Sequence, residues 1–151
     1  MSQTIFSSSR LLIALFISIT MEACTMSNLD DPDLTELSLD GDPWYVEYIH
    51  GRPVIDRSPA YFLFDKDGAV SGNASCNRFV GKYEVSGGQV TLSELATTRR
   101  ACIGSLEEQE RRFLSAVDDV AKWKVEQGLL LLLSAKGDIV FQSATHARAK
   151  N

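Results

Sequence analysis

The sequence contains few of the residues that usually perform catalysis or bind metal ions. There are 2 histidines and 3 cysteines among its 151 residues, and His50 and His146 lie outside any recognisable catalytic motif. No Gly-x-Ser-x-Gly nucleophile turn and no glycine-rich phosphate loop is present. The carboxylates fall in turns, in the N-terminal region and along one helix face, where solvation explains them. We therefore predict a protein that is not an enzyme, with no metal site and no cofactor.

Basic residues and long apolar segments are also scarce. The chain has 15 Lys+Arg against 20 Asp+Glu and a net charge of −5, whereas nucleic-acid binding requires a surplus of basic residues to neutralise phosphates. We therefore exclude a nucleic-acid partner. The apolar run at residues 11–20 is much shorter than the roughly twenty residues of a transmembrane helix, which disfavours a membrane span there.

The N-terminal segment has the layout of a secretory signal. Arg10 precedes the apolar residues 11–20, which end in a break that reads Met-Glu-Ala-Cys. This is the order of charged, apolar and cleavage regions in signal peptides. The small Ala23 before Cys24 resembles a lipobox, in which the cysteine is diacylated and becomes the mature N-terminus. The interpretation predicts a signal peptide at residues 1–23 and a lipid anchor on Cys24 that attaches the protein to the membrane.

Two residues beside Cys24 qualify this interpretation. Glu22 departs from the lipobox, where a small residue usually stands two places before the cysteine. Ordinary signal cleavage, or translation from Met21, is the alternative. Thr25 follows Cys24 in place of an aspartate, which is consistent with transport onward to the outer membrane. We expect a lipid-anchored, periplasm-facing protein of the outer membrane.

Beyond the leader, composition divides the chain into a tether, a domain and a tail. Residues 24–42 are acidic and lack an apolar period, which is typical of a tether. Residues 43–143 form the predicted domain, and residues 144–151 form a short tail. Within the domain, apolar segments alternate with glycine-containing turns, which indicates successive hairpins. The predicted strands are residues 44–49, 60–64, 69–71, 79–85, 89–92, 122–126, 129–134 and 138–142.

One segment has helical periodicity instead. Ser105 followed by Glu108 matches a capping box with Ser105 as N-cap. An apolar stripe at helical spacing follows it, and charged residues take the opposite face. The stripe comprises Leu106, Phe113, Leu114, Val117, Val120 and Ala121, and the charged face comprises Glu107, Glu108, Glu110, Arg111, Arg112, Asp118 and Asp119. We predict one amphipathic helix of about four turns.

Short strands at this spacing favour a mainly β fold, an antiparallel sheet that closes or nearly closes on itself with the helix packed on it. Residues 129–133 are all leucine, so both faces of that strand must be covered, the outer one by the helix or by a partner. The expected core residues are Trp44, Phe62, Phe64, Phe79 and Leu131.

If Cys24 carries lipid, Cys76 and Cys102 remain as an even pair. An oxidising compartment permits a disulfide between them, and metal binding is the rival use. Because neither cysteine has a close CxxC partner or a nearby histidine, a zinc site is disfavoured.

Two further segments resemble a known family. The first is Asn73-Ala74-Ser75-Cys76-Asn77-Arg78-Phe79 with Gly81 and Tyr83, and the second is Thr98-Arg99-Arg100-Ala101-Cys102. A helix with Glu108-Gln109-Glu110 and Phe113-Leu114 follows them. Together they resemble the META/HslJ family, whose pattern is G-x-x-G-C-N-R-F-x-G-x-Y, then T-R-x-A-C, then a helix near E-x-E/Q-x-x-F-L. Ser75 replaces the usual glycine and Arg100 a commonly apolar residue, so a glycine-only backbone at Ser75 would be strained.

The resemblance implies a compact, cracked β-barrel-like domain with one helix packed on it, found in exported and outer-membrane lipoproteins. It implies an association with heat-shock response and novobiocin tolerance, without an established enzymatic activity. It also implies a disulfide between Cys76 and Cys102, which flank segments that the family keeps together.

The polar residues beside these cysteines are candidates for binding or for structure. They are Asn77, Arg78, Tyr83, Arg99 and Arg100. We favour a structural role for Asn77, whose side chain would bond loop backbone groups. Arg78 and Arg99 either pack their stems against Tyr83 or Trp44 or join a basic patch for an anionic partner. Arg100 is expected to be exposed.

Two functional hypotheses follow. In the first, the protein is a non-enzymatic envelope lipoprotein that binds an envelope protein or supports outer-membrane integrity under stress. In the second, it carries an apolar or acyl ligand in the barrel interior. A carrier needs a dry cavity of a few hundred Å³, so a filled core would argue against it.

Replacing Cys24 with Ser tests the lipid anchor, because serine lacks the thiol that accepts the diacylglyceryl group. We expect the variant to leave the outer-membrane fraction and to lose the mass of the lipid in mass spectrometry. Thr25→Ser, the neighbouring control, should fractionate like the wild type. Unchanged mass and membrane association in Cys24→Ser would exclude lipidation.

Overall fold

The structure, a computed structural model, describes residues 39–145. This part of the chain forms nine strands and one helix. In chain order they are β1 (Trp44–Ile49), β2 (Arg52–Pro53), β3 (Tyr61–Phe64), β4 (Ala69–Asn73), β5 (Arg78–Ser86), β6 (Gln89–Thr97), α1 (Ser105–Val117), β7 (Lys122–Glu126), β8 (Leu129–Leu133) and β9 (Ile139–Ala144). The signal peptide, Cys24 and His146 lie outside the described residues.

The strands close into a ring. Sequential neighbours from β3 to β9 pair antiparallel, and β1 joins the two ends of the series by pairing with both β3 and β9. Tyr45 on β1 accordingly lies opposite Tyr61 on one side and Ala144 on the other. The short β2 extends the pairing of β1 beyond β3. The prediction of a mainly β, barrel-like fold with one helix is confirmed.

The crack of the barrel lies between β6 and β7. These two strands are in register at one position, Gln89 opposite Lys122. Two backbone bonds flank it, from the N–H of Val90 to the carbonyl of Ala121 (3.1 Å) and from Trp123 to Gly88 (3.0 Å). Because both strands begin at this point and run in opposite directions, they diverge immediately. In the described chain, the remainder of β6 is paired with β5 alone.

Strand β6 is longer than its sequence indicates. It continues past the predicted end to Thr97 because a bulge opposite Val80–Lys82 keeps it paired with β5. Glu94 has φ 54 at this bulge. A bulge sets two residues against one and breaks the alternation of burial, so a period-2 pattern does not reveal the continuation.

Aromatic rings fill the interior. Phe62 of β3 lies 4.9 Å from Phe113 of α1 and 5.1 Å from Phe141 of β9, measured between ring centroids, and Phe113 lies 5.0 Å from Phe141. Phe79 lies 5.6 Å from Phe62. These separations are those of rings in direct contact, so the centre of the described barrel is packed solid.

The predicted core residues are all buried, but one of them, Leu131, is not part of the interior cluster. Leu130 and Leu132 belong to the same buried cluster as the phenylalanines. Leu131 is buried as well, but alternation along the strand directs it to the opposite face. There it lies in register between Lys124 on β7 and Gln142 on β9.

Helix α1 adds Phe113, Ala116 and Val117 to the interior cluster. The predicted capping box is wrong, because Gly104 (φ 67) is the N-cap and no side chain caps the helix. Glu108 binds Arg111 instead, at 2.6 Å, so it is not available to reach back. The helix ends at Val117, and the last residues of the predicted stripe therefore lie beyond it. Among residues 39–145, no helix has the length and apolar character to cross a membrane.

The packed domain extends beyond the predicted boundaries at both ends. Leu39, assigned to the tether, is 3% exposed, and its carbonyl accepts a hydrogen bond from the indole N–H of Trp44 at 3.0 Å. Ala144, assigned to the tail, is buried within β9. The composition of the chain changes at each predicted boundary, whereas the packing continues for a few residues beyond that change.

Gly72 on β4 lies so close to Tyr61 and Phe79 that no side chain fits at this position. A Cβ atom there would overlap the carbonyl oxygen of Tyr61 and lie 2.7 Å from Cζ of Phe79. Because the carbonyl belongs to the pairing with β3, it cannot move without breaking the sheet.

We expect Gly72→Ala to destabilise the fold by about 1–3 kcal/mol, at the upper end of that range. The measurement is denaturant unfolding, with Ser71→Ala on the adjacent, half-buried position as the control. Equal stability of the two variants would contradict this account.

Candidate functional site

The two segments that resemble the family meet in space. A disulfide joins Cys76, at the turn between β4 and β5, to Cys102, in the connection from β6 to α1, with Cα atoms 6.2 Å apart. The predicted pairing is therefore present. It closes a loop with a sequence separation of 26 residues, for which the chain-entropy model gives a stabilisation of about 3–4 kcal/mol.

Asn77 is the centre of the polar contacts in this region. Its side-chain oxygen accepts hydrogen bonds from the Thr98 hydroxyl (2.8 Å) and from the backbone N–H of Arg100 (2.7 Å). Its amide nitrogen donates to the carbonyl of Arg100 (3.2 Å) and to the Glu110 carboxylate (2.9 Å). An amide side chain has two acceptor and two donor positions, and all four are used. Asn77 is also 5% exposed, so its geometry is that of a structural residue.

Glu110 connects the helix to the same turn. One carboxylate oxygen accepts the backbone N–H groups of Asn77 (2.6 Å) and Cys76 (3.1 Å), while the other accepts the Asn77 side chain. The sequence placed Glu110 on the solvent face of α1, and this was wrong. Helical periodicity indicates which residues share a face, but it does not show that a distant turn covers part of that face.

Gln109 was missed as a structural residue. It is 2% exposed, and its side-chain oxygen accepts the N–H of Ile55 at 2.6 Å. Its nitrogen donates to the hydroxyls of Ser58 and Ser75, each at 2.6 Å. The available signal was its spacing, since Gln109 precedes the buried Phe113 by four residues and thus lies on the apolar face of the helix.

Ser75 adopts the backbone conformation that the usual glycine would favour. Its φ is 111, in the region where a side chain is strained. Two hydrogen bonds offset this strain, from its own N–H to the Asn73 side chain (2.7 Å) and from Gln109 to its hydroxyl.

Tyr83 and Arg78 point to opposite faces of β5. Tyr83 is buried, and its hydroxyl donates to the carbonyl of Asp65 at 2.9 Å. Burial raises the pKa of Tyr83, with smaller contributions from the charges of Asp40 and Asp65. Arg78 is exposed. The hypothesis that the stem of Arg78 packs against Tyr83 is therefore wrong, because strand alternation separates them.

Arg99 and Arg100 lie at the surface beside the hydrogen bonds of Asn77. The backbone N–H and carbonyl of Arg100 form hydrogen bonds with the Asn77 side chain, whereas the Arg100 side chain is exposed, as expected. The side chain of Arg99 is exposed as well. Ile103, just after the disulfide, is 88% exposed. We call the exposed side chains of Arg78, Arg99, Arg100 and Ile103 the loop surface.

Of the two histidines, only His50 belongs to the described residues, and it lies away from this region. His50 lies 3.2 Å from the Asp119 carboxylate, with both side chains about half exposed. Within residues 39–145, no group of three His, Cys, Asp or Glu side chains could hold a metal ion.

A closed antiparallel barrel with a filled interior, one helix and a disulfide-linked pair of loops defines a small β-barrel domain. The chain belongs to the META domain family, whose profile matches residues 36–146. Heat shock protein HslJ of Escherichia coli (strain K12) is 26% identical to it over 134 residues, which cover 87% of this chain and 95% of HslJ.

Solved structures share the fold. One NMR structure, 27% identical, has a TM-score of 0.57 and covers 75% of this chain and 95% of its own. An NMR structure of a protein from Burkholderia xenovorans, 23% identical, has a TM-score of 0.59 with coverages of 73% and 85%. The crystal structure of a DUF4847 family protein from Bacteroides vulgatus, 15% identical, has a TM-score of 0.55 with coverages of 70% and 93%.

Substitution of Asn77 distinguishes its structural role from a role in binding. Asn77→Ala removes the side-chain hydrogen bonds of Asn77 to Thr98, Arg100 and Glu110 and leaves backbone groups of Arg100 without their partner. We therefore expect a loss of about 1–3 kcal/mol. Arg100→Ala keeps the backbone contacts and should change stability by less than about 0.5 kcal/mol. Thermal unfolding of the two variants gives the comparison. If Asn77→Ala melts like the wild type but loses function in cells, the residue is functional and not structural.

Proposed function

We propose that this protein is a non-enzymatic envelope lipoprotein that binds a protein partner through the loop surface and supports outer-membrane integrity under stress. The observation that carries the proposal is the contrast within this region. The side chains of Arg99, Arg100 and Ile103 are exposed, whereas their backbone is held by a disulfide and by the buried Asn77.

A fixed backbone favours binding because less freedom is lost when a complex forms. Ordering a flexible interface costs about 0.5–1.5 kcal/mol for each immobilised side chain, in addition to the ordering of the loop itself. Here the loop is ordered before any partner arrives. Arginine is enriched among residues that dominate binding energy, and Ile103 offers apolar area that a partner could bury.

The compartment and the relatives support the same proposal. Disulfides persist in oxidising compartments such as the periplasm and are rare in the cytosol, so the bond between Cys76 and Cys102 agrees with export through the predicted leader. The relative in Escherichia coli is named a heat shock protein, which supports a role under stress, and the family resemblance adds novobiocin tolerance to that proposal.

The carrier hypothesis receives no such support. An acyl chain would need the space that Phe62, Phe113 and Phe141 occupy, and these rings lie within 5.1 Å of one another. Moving them would cost the burial of large aromatic side chains.

The loop surface can be altered without disturbing the fold. In Arg99→Ala/Ile103→Ser, we expect stability to change by less than about 0.5 kcal/mol, because both side chains are exposed. We expect recovery of the partner, measured by crosslinking in intact cells and quantitative mass spectrometry, to fall by about tenfold or more.

Lys124→Ala/Ile139→Ser provides a matched control, since it also removes one exposed cation and one exposed isoleucine. These residues lie on β7 and β9, and partner recovery should remain at the wild-type level. Equal recovery from both double variants, with equal growth under novobiocin, would refute the proposed binding surface.

A further inference from the structure

A small cavity lies between α1 and the end of β1, on a part of the barrel that the proposed function does not use. Its volume is about 150 Å³, and three arginines, Arg52, Arg111 and Arg112, line it together with His50 and Ser115. Because one water molecule needs only about 10–15 Å³ of such space, the cavity admits a group larger than water. It can therefore hold a tetrahedral anion.

Arg112 presents unused hydrogen-bond donors. Its Nε and Nη2 atoms are buried, and neither has a hydrogen-bond partner among the described residues. These two nitrogens form the side-on edge of the guanidinium, the edge that binds two oxygens of one anion. Burying such donors without a partner is unfavourable, and the burial itself lowers the pKa of Arg112. Arg112 lines the cavity, and it forms no ion pair with a carboxylate of the described residues.

The neighbouring Arg111 shows how the same edge is used when an anion is available. Its Nε and Nη2 bind the Glu108 carboxylate at 3.2 Å and 2.6 Å, and this hydrogen bonding lowers the pKa of Glu108. Arg111 is thereby neutralised within the protein. Within residues 39–145, no carboxylate forms an equivalent ion pair with Arg112 or Arg52.

Arg52 adds a second positive charge that forms no ion pair within 4.0 Å among residues 39–145. Its positive charge acts on Arg112 and is the second cause of the lowered pKa of Arg112, with Glu108 acting in the opposite direction. Two cations held close together repel each other unless an anion lies between them. This arrangement sits in a chain whose net charge is −5, so the local positive charge does not follow from composition.

We propose that this cavity binds a phosphate-type oxyanion. The positive charges of Arg112 and Arg52 offset its charge, and the Ser115 hydroxyl is available as a donor. Both free phosphate and the phosphate monoester of a lipid headgroup have this chemistry. The site is separate from the loop surface, and its residues are different ones.

The test uses the purified full chain and thermal unfolding in the presence of inorganic phosphate, at constant ionic strength maintained with sodium chloride. A ligand that binds the native state raises the melting temperature in a concentration-dependent manner. We expect phosphate to do so for the wild type. Arg112→Gln and Arg52→Gln should each raise the half-maximal phosphate concentration by about tenfold or more. Arg52 is exposed, so its variant remains informative if Arg112→Gln folds poorly.

Arg99→Gln is the matched control, because it removes the same charge from the loop surface and should respond to phosphate like the wild type. A soluble short-chain phosphatidic acid, tested in parallel, distinguishes the source. A response that depends on Arg52 and Arg112 for both ligands supports a site open to lipid headgroups, and a response to phosphate alone supports a site for the free anion. No response in the wild type, or the same response in all three arginine variants, would overturn the proposal.

Discussion

The turn from β4 to β5 directs the backbone N–H groups of Cys76 and Asn77 toward α1, and the Glu110 carboxylate accepts both of them. A buried donor without an acceptor costs about 1–3 kcal/mol, so this turn and this helix stabilise each other. Gln109 repeats the arrangement with the segment that follows β2, through Ile55 and Ser58. Two adjacent helical residues thus bond two separate parts of the barrel.

The apolar packing depends on that position of the helix. One turn after Gln109, Phe113 enters the barrel and contacts the rings of Phe62, Phe79 and Phe141. The polar contacts provide hydrogen-bond partners for backbone groups at the rim, and the aromatic contacts fill the interior. Because both sets belong to one helix, a shift of α1 would break hydrogen bonds and open a cavity together. The rings of Phe62, Phe113 and Phe141 therefore occupy the space that a ligand inside the barrel would need.

The surface charges reflect the same organisation. The chain is acidic overall, yet arginines lie near both groups of helix contacts. Arg111 is paired with Glu108, whereas Arg52, Arg78, Arg99, Arg100 and Arg112 form no ion pair within 4.0 Å in the described part of the chain. Unpaired cations on an acidic protein generate local positive potential, which attracts anionic groups and steers their approach.

The sequence by itself determined eight of the nine strands, the single helix and the family, since alternation, glycine turns and the segments around Cys76 and Cys102 are all local patterns. It did not reveal the short β2 or the continuation of β6 past its bulge. It also indicated the strained backbone at Ser75, because one residue differs from a glycine position. The tertiary structure decided which polar residues are structural. Glu110 and Gln109 carry no local sign of the turns they bond, which lie more than 30 residues away. The same holds for the cavity of Arg52 and Arg112, because periodicity assigns a residue to a face of its own element and only packing brings two elements together.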